Sequence, residues 1–166
     1  MTTQQGSVNL LNDPVAQTLL QSTLPARLSY IWTDGTPRVV PIGFQWTGHE
    51  IVLGTPPDAP KVTALEKNGK VALTIDTDGM PYKVLLIRGT AKLQLMEGIV
   101  PEYAQMCQRT MGEEGAKQWL AQMAGLNTHM VRVGITPEWV GVMDFETRFP
   151  SAVERAFERA ASAGRA

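Results

Sequence analysis

The sequence has one cysteine, Cys107, and two histidines, His49 and His129, set far apart in the chain. A single thiol cannot close an intrachain disulfide, which suits a reducing, cytoplasmic setting. Three such residues so widely spaced offer no metal-ligand cluster. Charge of one sign is also missing: 15 Lys and Arg against 16 Asp and Glu leave a net charge of −1, which gives no electrostatic footing for nucleic acid. No run approaches the ~18 apolar residues of a membrane span. The opening MTTQQGSVNLLNDP lacks the basic and apolar regions of a signal peptide. There is no internal repeat, long linker or low-complexity block. A G-x-G-x-x-G fingerprint is absent too, so a nicotinamide would have to bind transiently and outside a Rossmann site. What remains is a chain of 166 residues, 43% hydrophobic and 19% charged. Such a chain reads as one soluble domain, 1–166, able to bury roughly 70% of its unfolded surface.

Local patterns give the elements. Asn12-Asp13-Pro14 opens a helix over about 12–22. Ala26 to Thr33 alternates as a strand, and Asp34-Gly35 turns it into a second strand, Arg38 to Trp46. Thr47-Gly48-His49 leads into Glu50 to Thr55, with His49 solvated at a loop tip. Lys70 to Thr77 and Tyr82 to Met96 are strands, the second bent at Gly89. Helical spacing occupies about 97–125, interrupted at Gly112 and Gly115. There Tyr103, Met106, Cys107 and Thr110 form one cluster, and Ala116, Leu120 and Met123 form another, with Trp119 beside it. Methionine and aromatic residues at this spacing are usually core. Thr128 to Thr136 returns to strand. Ser151-Ala152-Val153-Glu154 has the spacing of a capping box and opens a C-terminal helix over about 151–163, whose Ala- and Gly-rich end frays.

The stretch from Thr36 to Lys61 organises the rest. In its first strand Val40, Ile42, Phe44 and Trp46 share an inward face, while Val39, Pro41, Gly43 and Gln45 leave the other face low and smooth. A flat ring could lie on that face; alternatively Pro41 marks an edge strand protected from aggregation. Pro56, Pro57 and Pro60 then stiffen a loop before a helix over about 59–68, with Asp58 placed as N-cap and Gly69 as C′. Lys61 therefore falls in the first helical turn, where a cation opposes the helix dipole. An anion held by the backbone N–H groups, the Thr55 hydroxyl and the Lys61 ammonium would remove the conflict, as at a phosphate site. The alternative is a solvated surface lysine.

Several of these segments, in order, resemble the flavin-binding split β-barrel family, the broad group of pyridoxamine 5′-phosphate oxidase-like FMN-binding proteins. They are Asp34-Gly35-Thr36-Pro37-Arg38-Val39-Val40-Pro41-Ile42, Ile51-Val52-Leu53-Gly54-Thr55, Lys61 with Leu65, Lys70 to Asp76, and Ile87-Arg88-Gly89-Thr90-Ala91. The resemblance covers roughly Leu24 to Leu95, with an echo at Val131 to Val140. It implies a mainly β fold with flanking helices, a six-stranded antiparallel split β-barrel forming a homodimer with flavin at the subunit seam. It implies FMN as cofactor, with the deazaflavin F420 as the alternative. It gives Arg38, Val39 and Pro41 to the isoalloxazine and places Trp139 near the flavin edge or the dimer seam. Arg88 is either a cofactor-phosphate ligand or an ion-pair partner of Asp76.

The activity so implied is an oxidoreductase carrying out two-electron flavin redox on a small molecule, fed by a nicotinamide or deazaflavin donor. The protein would supply position and electrostatics while the cofactor supplies the chemistry. No general-acid pair or nucleophile triad stands out, and no catalytic residue is assigned. A flavin carrier or sensor, and a haem-linked relative using His49 or His129, fit the same fold. Pyridoxamine 5′-phosphate oxidase itself does not fit: its Arg-rich C-terminal motif has no counterpart in VGVMDFETRFPSAVER.

Overall fold

Asp13 starts the first helix: its side chain accepts a hydrogen bond from the Val15 N–H at 2.9 Å, with Pro14 at the first helical position. This helix, α1 (Pro14–Leu20), follows a short 3₁₀ turn, Val8–Asn12, and buries Leu19 and Leu20. The structure, a computed structural model, describes residues 5–126 and 128–163. The fraying expected at Gly164 to Ala166 lies outside the described residues, as do the first four residues of the opening MTTQQGSVNLLNDP.

Seven strands follow: β1 (Ala26–Ile31), β2 (Pro37–Ile42), β3 (Gln45–Trp46), β4 (Ile51–Thr55), β5 (Lys70–Asp76), β6 (Val84–Glu97) and β7 (His129–Met143). All pair antiparallel in one sheet of order β2-β1-β5-β6-β7-β4-β3. The count is seven where six were expected, because the strand read as Arg38 to Trp46 breaks at Gly43-Phe44. Its first part pairs with β1 and its second with β4. These are the two edges of an open sheet, yet only two residues of chain separate them. Three Cα–Cα steps span at most about 11 Å, so the sheet must curl until its edges approach.

The concave side of that curl is the core. Leu28, Leu73, Ile75, Leu85, Ile87, Val133, Ile135, Val140 and Val142 alternate along their strands and are all buried. Phe44, at the break, is buried with them. Helix α1 covers part of this core, and α2 (Pro60–Lys67) covers more with Val62, Ala64 and Leu65.

Gly89 marks the predicted bend. Arg88 lies opposite Trp139 but Gly89 lies opposite Pro137, so Glu138 is an extra residue in β7. A Cβ at Gly89 would stand 2.2 Å from the Thr136 carbonyl oxygen; the bulge exists because the backbones touch there.

Three expected caps are replaced. The N-cap of α2 is Ala59, with no side-chain hydrogen bond, and Asp58 lies one residue too early. Gly69 is not left-handed after an extended Asn68; it is small because a Cβ would meet the Ala91 carbonyl at 2.7 Å. In α4 (Ser151–Ala163) Ser151 is already helical, and Glu154 accepts from the Phe149 N–H at 3.2 Å in place of a capping-box bond to Ser151.

The remaining helix, α3 (Pro101–Leu126), is two helices joined at Gly112, whose φ of 74° only glycine adopts readily. It docks on positions that have no side chain. A Cβ at Gly54 would be 2.7 Å from Tyr103 Cβ, and one at Gly43 would be 2.7 Å from Met106 Sδ.

Candidate functional site

Beneath α3 lies a cavity of about 450 Å³. Its floor is the end of β2 with the Gly43-Phe44 break, its wall is Gly54-Thr55 and the first turn of α2, and Tyr103, Met106 and Arg109 hang into it from α3. Among the predicted site residues, Pro41, Thr55 and Lys61 are brought together here. Thr55 is 3% exposed, and its hydroxyl takes part in no hydrogen bond among the described residues.

Lys61 is half-buried and has neither a carboxylate nor any hydrogen-bond acceptor among the described residues. Burial alone pushes its ammonium pKa down, the response of a cation that loses water and gains no partner. Burial pushes the Arg109 pKa down too, with no carboxylate to oppose it. Its guanidinium donates to three neutral acceptors: the Ser22 carbonyl at 3.0 Å, the Gln45 side-chain oxygen and the Phe44 carbonyl. It also stands 5.5 Å from the Phe44 ring centroid. Arg132 and Arg148 differ: Glu50 and Glu102 flank the first, Asp13 and Asp144 the second. The cavity wall thus carries two uncompensated cations and no acidic residue. Such an arrangement attracts an anion.

Tyr103 accepts a hydrogen bond from Trp119 Nε1 at 2.8 Å, and burial raises its phenol pKa. Cys107 is fully buried beside it with its thiol pushed up by burial, so it stays a thiol.

The other predicted residues lie elsewhere. Val39 is 63% exposed on the convex face of the sheet and borders a second cavity of about 570 Å³ with Tyr82 and Phe145. The register sets one row across that face: Val39, Ser29, Ala72, Arg88 and Trp139. Three strand spacings, about 14 Å, separate Val39 from Arg88. Arg88 lines a different cavity from Lys61. It does not pair with Asp76, whose neighbour on β6 is Val84, four residues along; Asp76 bonds Arg27 instead. Arg88 lies over the Trp139 ring, 4.2 Å from its centroid. That ring is packed between Gly6 and Gly141, each too close to accept a Cβ. Arg38 stands over Trp32 at 5.4 Å. His49 and His129 are both exposed.

Arg109 is the residue that sequence reasoning passed over. It follows Met106 by three positions and so shares the apolar face assigned to Tyr103, Met106 and Thr110. A lone cation on such a face was the available signal.

No protein-family model matches the chain, and no curated protein does. Solved structures do. An F420 reductase aligns over 75% of this chain and 94% of its own, with TM-score 0.58 and 21% identity. A protein of Listeria innocua assigned as a pyridoxamine 5′-phosphate oxidase aligns over 81% and 98%, with TM-score 0.57 and 20% identity. The haem storage protein HutZ of Vibrio cholerae aligns over 80% and 93%, with TM-score 0.57 and 19% identity. The chain has the split-barrel fold of the pyridoxamine 5′-phosphate oxidase-like proteins.

Proposed function

We propose that the protein is a flavin-dependent oxidoreductase that binds FMN at the cavity beneath α3 and acts as a homodimer. The observation that carries this reading is the cavity wall itself: two half-buried cations without counter-charge, the Thr55 hydroxyl without a hydrogen-bond partner among the described residues, and no carboxylate. A phosphate ester meets each of those requirements. In this reading Lys61, Thr55 and the uncapped N-terminus of α2 hold the phosphate. The ring lies along the exposed side of β2, where Pro41 and Val39 leave a low surface, and a second subunit covers it. Bound flavin would supply two-electron redox, and the chain would supply position, charge and exclusion of water. The solved structures of like fold support a flavin-type cofactor by their names, which include F420 reductase and pyridoxamine 5′-phosphate oxidase.

Mass spectrometry and the absorption spectrum of the purified protein test the cofactor, since FMN and F420 differ in mass and in visible bands. FMN bound in stoichiometric amount supports the proposal. F420 in its place moves the reading to a deazaflavin-dependent reductase. A protein that carries neither and takes up neither on titration overturns it. Anaerobic mixing with a reduced nicotinamide or reduced F420 tests turnover: bleaching of the flavin band is expected, and no bleaching with either donor leaves a carrier or sensor.

A further inference from the structure

We propose that Arg109 is a second cationic arm of the anion site, delivered by α3, and that an anion bridging Lys61 and Arg109 fastens α3 to the sheet. This rests on the reading of the cavity as an anion site, and its ligand class is a phosphate or phosphate monoester.

The guanidinium has five N–H donors. Three are engaged, one each by Ser22, Phe44 and Gln45, and all three acceptors are neutral. Two donors and the whole positive charge remain for a ligand. The three engaged bonds come from the segment after α1 and from the β2–β3 break, so they fix the guanidinium before any ligand arrives. A planar fork held in this way loses little freedom on binding an oxyanion. Across the cavity, Lys61 has no partner among the described residues, and Thr55 offers a hydroxyl that none of them uses. The site therefore takes its charge from two elements that are far apart in sequence.

The consequence is mechanical. Helix α3 is already held to the sheet by the apolar seats of Tyr103 on Gly54 and Met106 on Gly43, by the Glu102–Arg132 ion pair at its first turn, and by the Arg109 hydrogen bonds to Phe44 and Gln45. An anion held by α2 on one side and Arg109 on the other adds a charge-assisted tie between α3 and the sheet. Loading the site then slows local opening of the first half of α3.

The test uses the full chain stripped of bound cofactor, with inorganic phosphate as probe and chloride at matched ionic strength as control. Calorimetry gives affinity, and hydrogen exchange over residues 101–111 gives the tie. Phosphate is expected to bind and to slow exchange in that segment. Arg109→Gln is expected to weaken phosphate roughly tenfold or more and to abolish the protection, while Arg109→Lys retains part of both. Wild-type affinity in Arg109→Gln, or no change in exchange at 101–111 when phosphate binds, overturns the proposal. If Arg109→Gln does not fold, the exchange measurement on the wild type decides. FMN titration in parallel separates the two readings. Phosphate binding that depends on Arg109 without FMN binding refutes the flavin assignment alone. FMN binding indifferent to Arg109 refutes the bridging arm alone.

Discussion

Tyr103 rests directly on Gly54: a Cβ at that position would stand 2.7 Å from Tyr103 Cβ and 2.8 Å from Met130 Sδ. Tyr103 Cβ cannot swing aside as the flexible Met130 side chain could, because it is fixed to the backbone of α3. Gly54→Ala is therefore expected to lift α3 and to cost about 1–3 kcal/mol by overpacking. Urea unfolding measures it as a lower midpoint with unchanged slope. The same variant should bind cofactor more weakly, since the cavity wall on the α3 side moves. Unchanged stability would mean that α3 is not seated on this glycine.

The convex face of the sheet gives a second expectation. Val39 is 63% exposed, Ile31 37% and Tyr82 39%; Val39 and Tyr82 adjoin the cavity of about 570 Å³, and Ile31 lines a neighbouring one. A face of this kind is covered by a partner when it belongs to a dimer. Sedimentation at micromolar concentration is expected to give twice the 18.2 kDa of the chain. Val39→Asp, which sets a carboxylate in that face, should shift the species to a monomer. A wild-type monomer that retains flavin would remove the dimer from the proposal.

Much of this was legible in advance, and the reasons for the rest are physical. Alternation along Lys70 to Asp76 and the Asp34-Gly35 turn follow from side-chain period and backbone sterics, both local. The break at Gly43-Phe44 does not, because alternation continues through Phe44 and Trp46; only the need for one stretch to serve both sheet edges interrupts the ladder. Lys61 and Thr55 could be paired from their spacing around a helix start. Arg109 could not, since its partners Ser22, Phe44 and Gln45 are 64 to 87 residues away. Arg88 stayed open because its choice between Asp76 and the Trp139 ring depends on strand register, which a sequence does not state.

Arg148, in the loop after β7, ties that loop to Asp13 at the start of α1, and this sets a pH dependence. Its guanidinium bonds both carboxylate oxygens of Asp13, at 2.8 and 3.0 Å, and approaches Asp144 at 3.7 Å. The Arg148 side chain lowers the Asp13 pKa more than any other contact does. Burial by itself would raise that of Asp144, but the Thr147 hydroxyl and the backbone N–H groups of 146, 147 and 148 outweigh it and hold it low. A carboxylate lowered in the folded state stabilises at pH above its unfolded value, about 3.9, and loses that stabilisation as pH falls through the folded value. Stability is thus expected to be full at pH 5 and above and to decline below about pH 4. Arg148→Met should cost about 3 kcal/mol at pH 7, since it leaves a half-buried carboxylate unpaired. It should also flatten the acid decline. Urea midpoints from pH 2.5 to 7 for both proteins check this; parallel profiles would show that Arg148 does not set the acid response.

Lys61 carries the sharpest test of the proposed function. If its ammonium holds the cofactor phosphate, Lys61→Met removes one charge-assisted hydrogen bond, worth about 1.5–3 kcal/mol, and FMN should bind roughly 10- to 150-fold more weakly. Riboflavin lacks the phosphate and should bind both proteins alike. The apo-protein should not suffer. Lys61 has no partner to lose among the described residues, its charge is already disfavoured by burial, and a cation in the first turn of α2 opposes the helix dipole. Its melting temperature should therefore stay level or rise, which separates a binding residue from a structural one. Equal weakening of FMN and riboflavin would reassign Lys61 to packing. No change in either would make it a solvated lysine and leave Arg109 as the charged residue to test next.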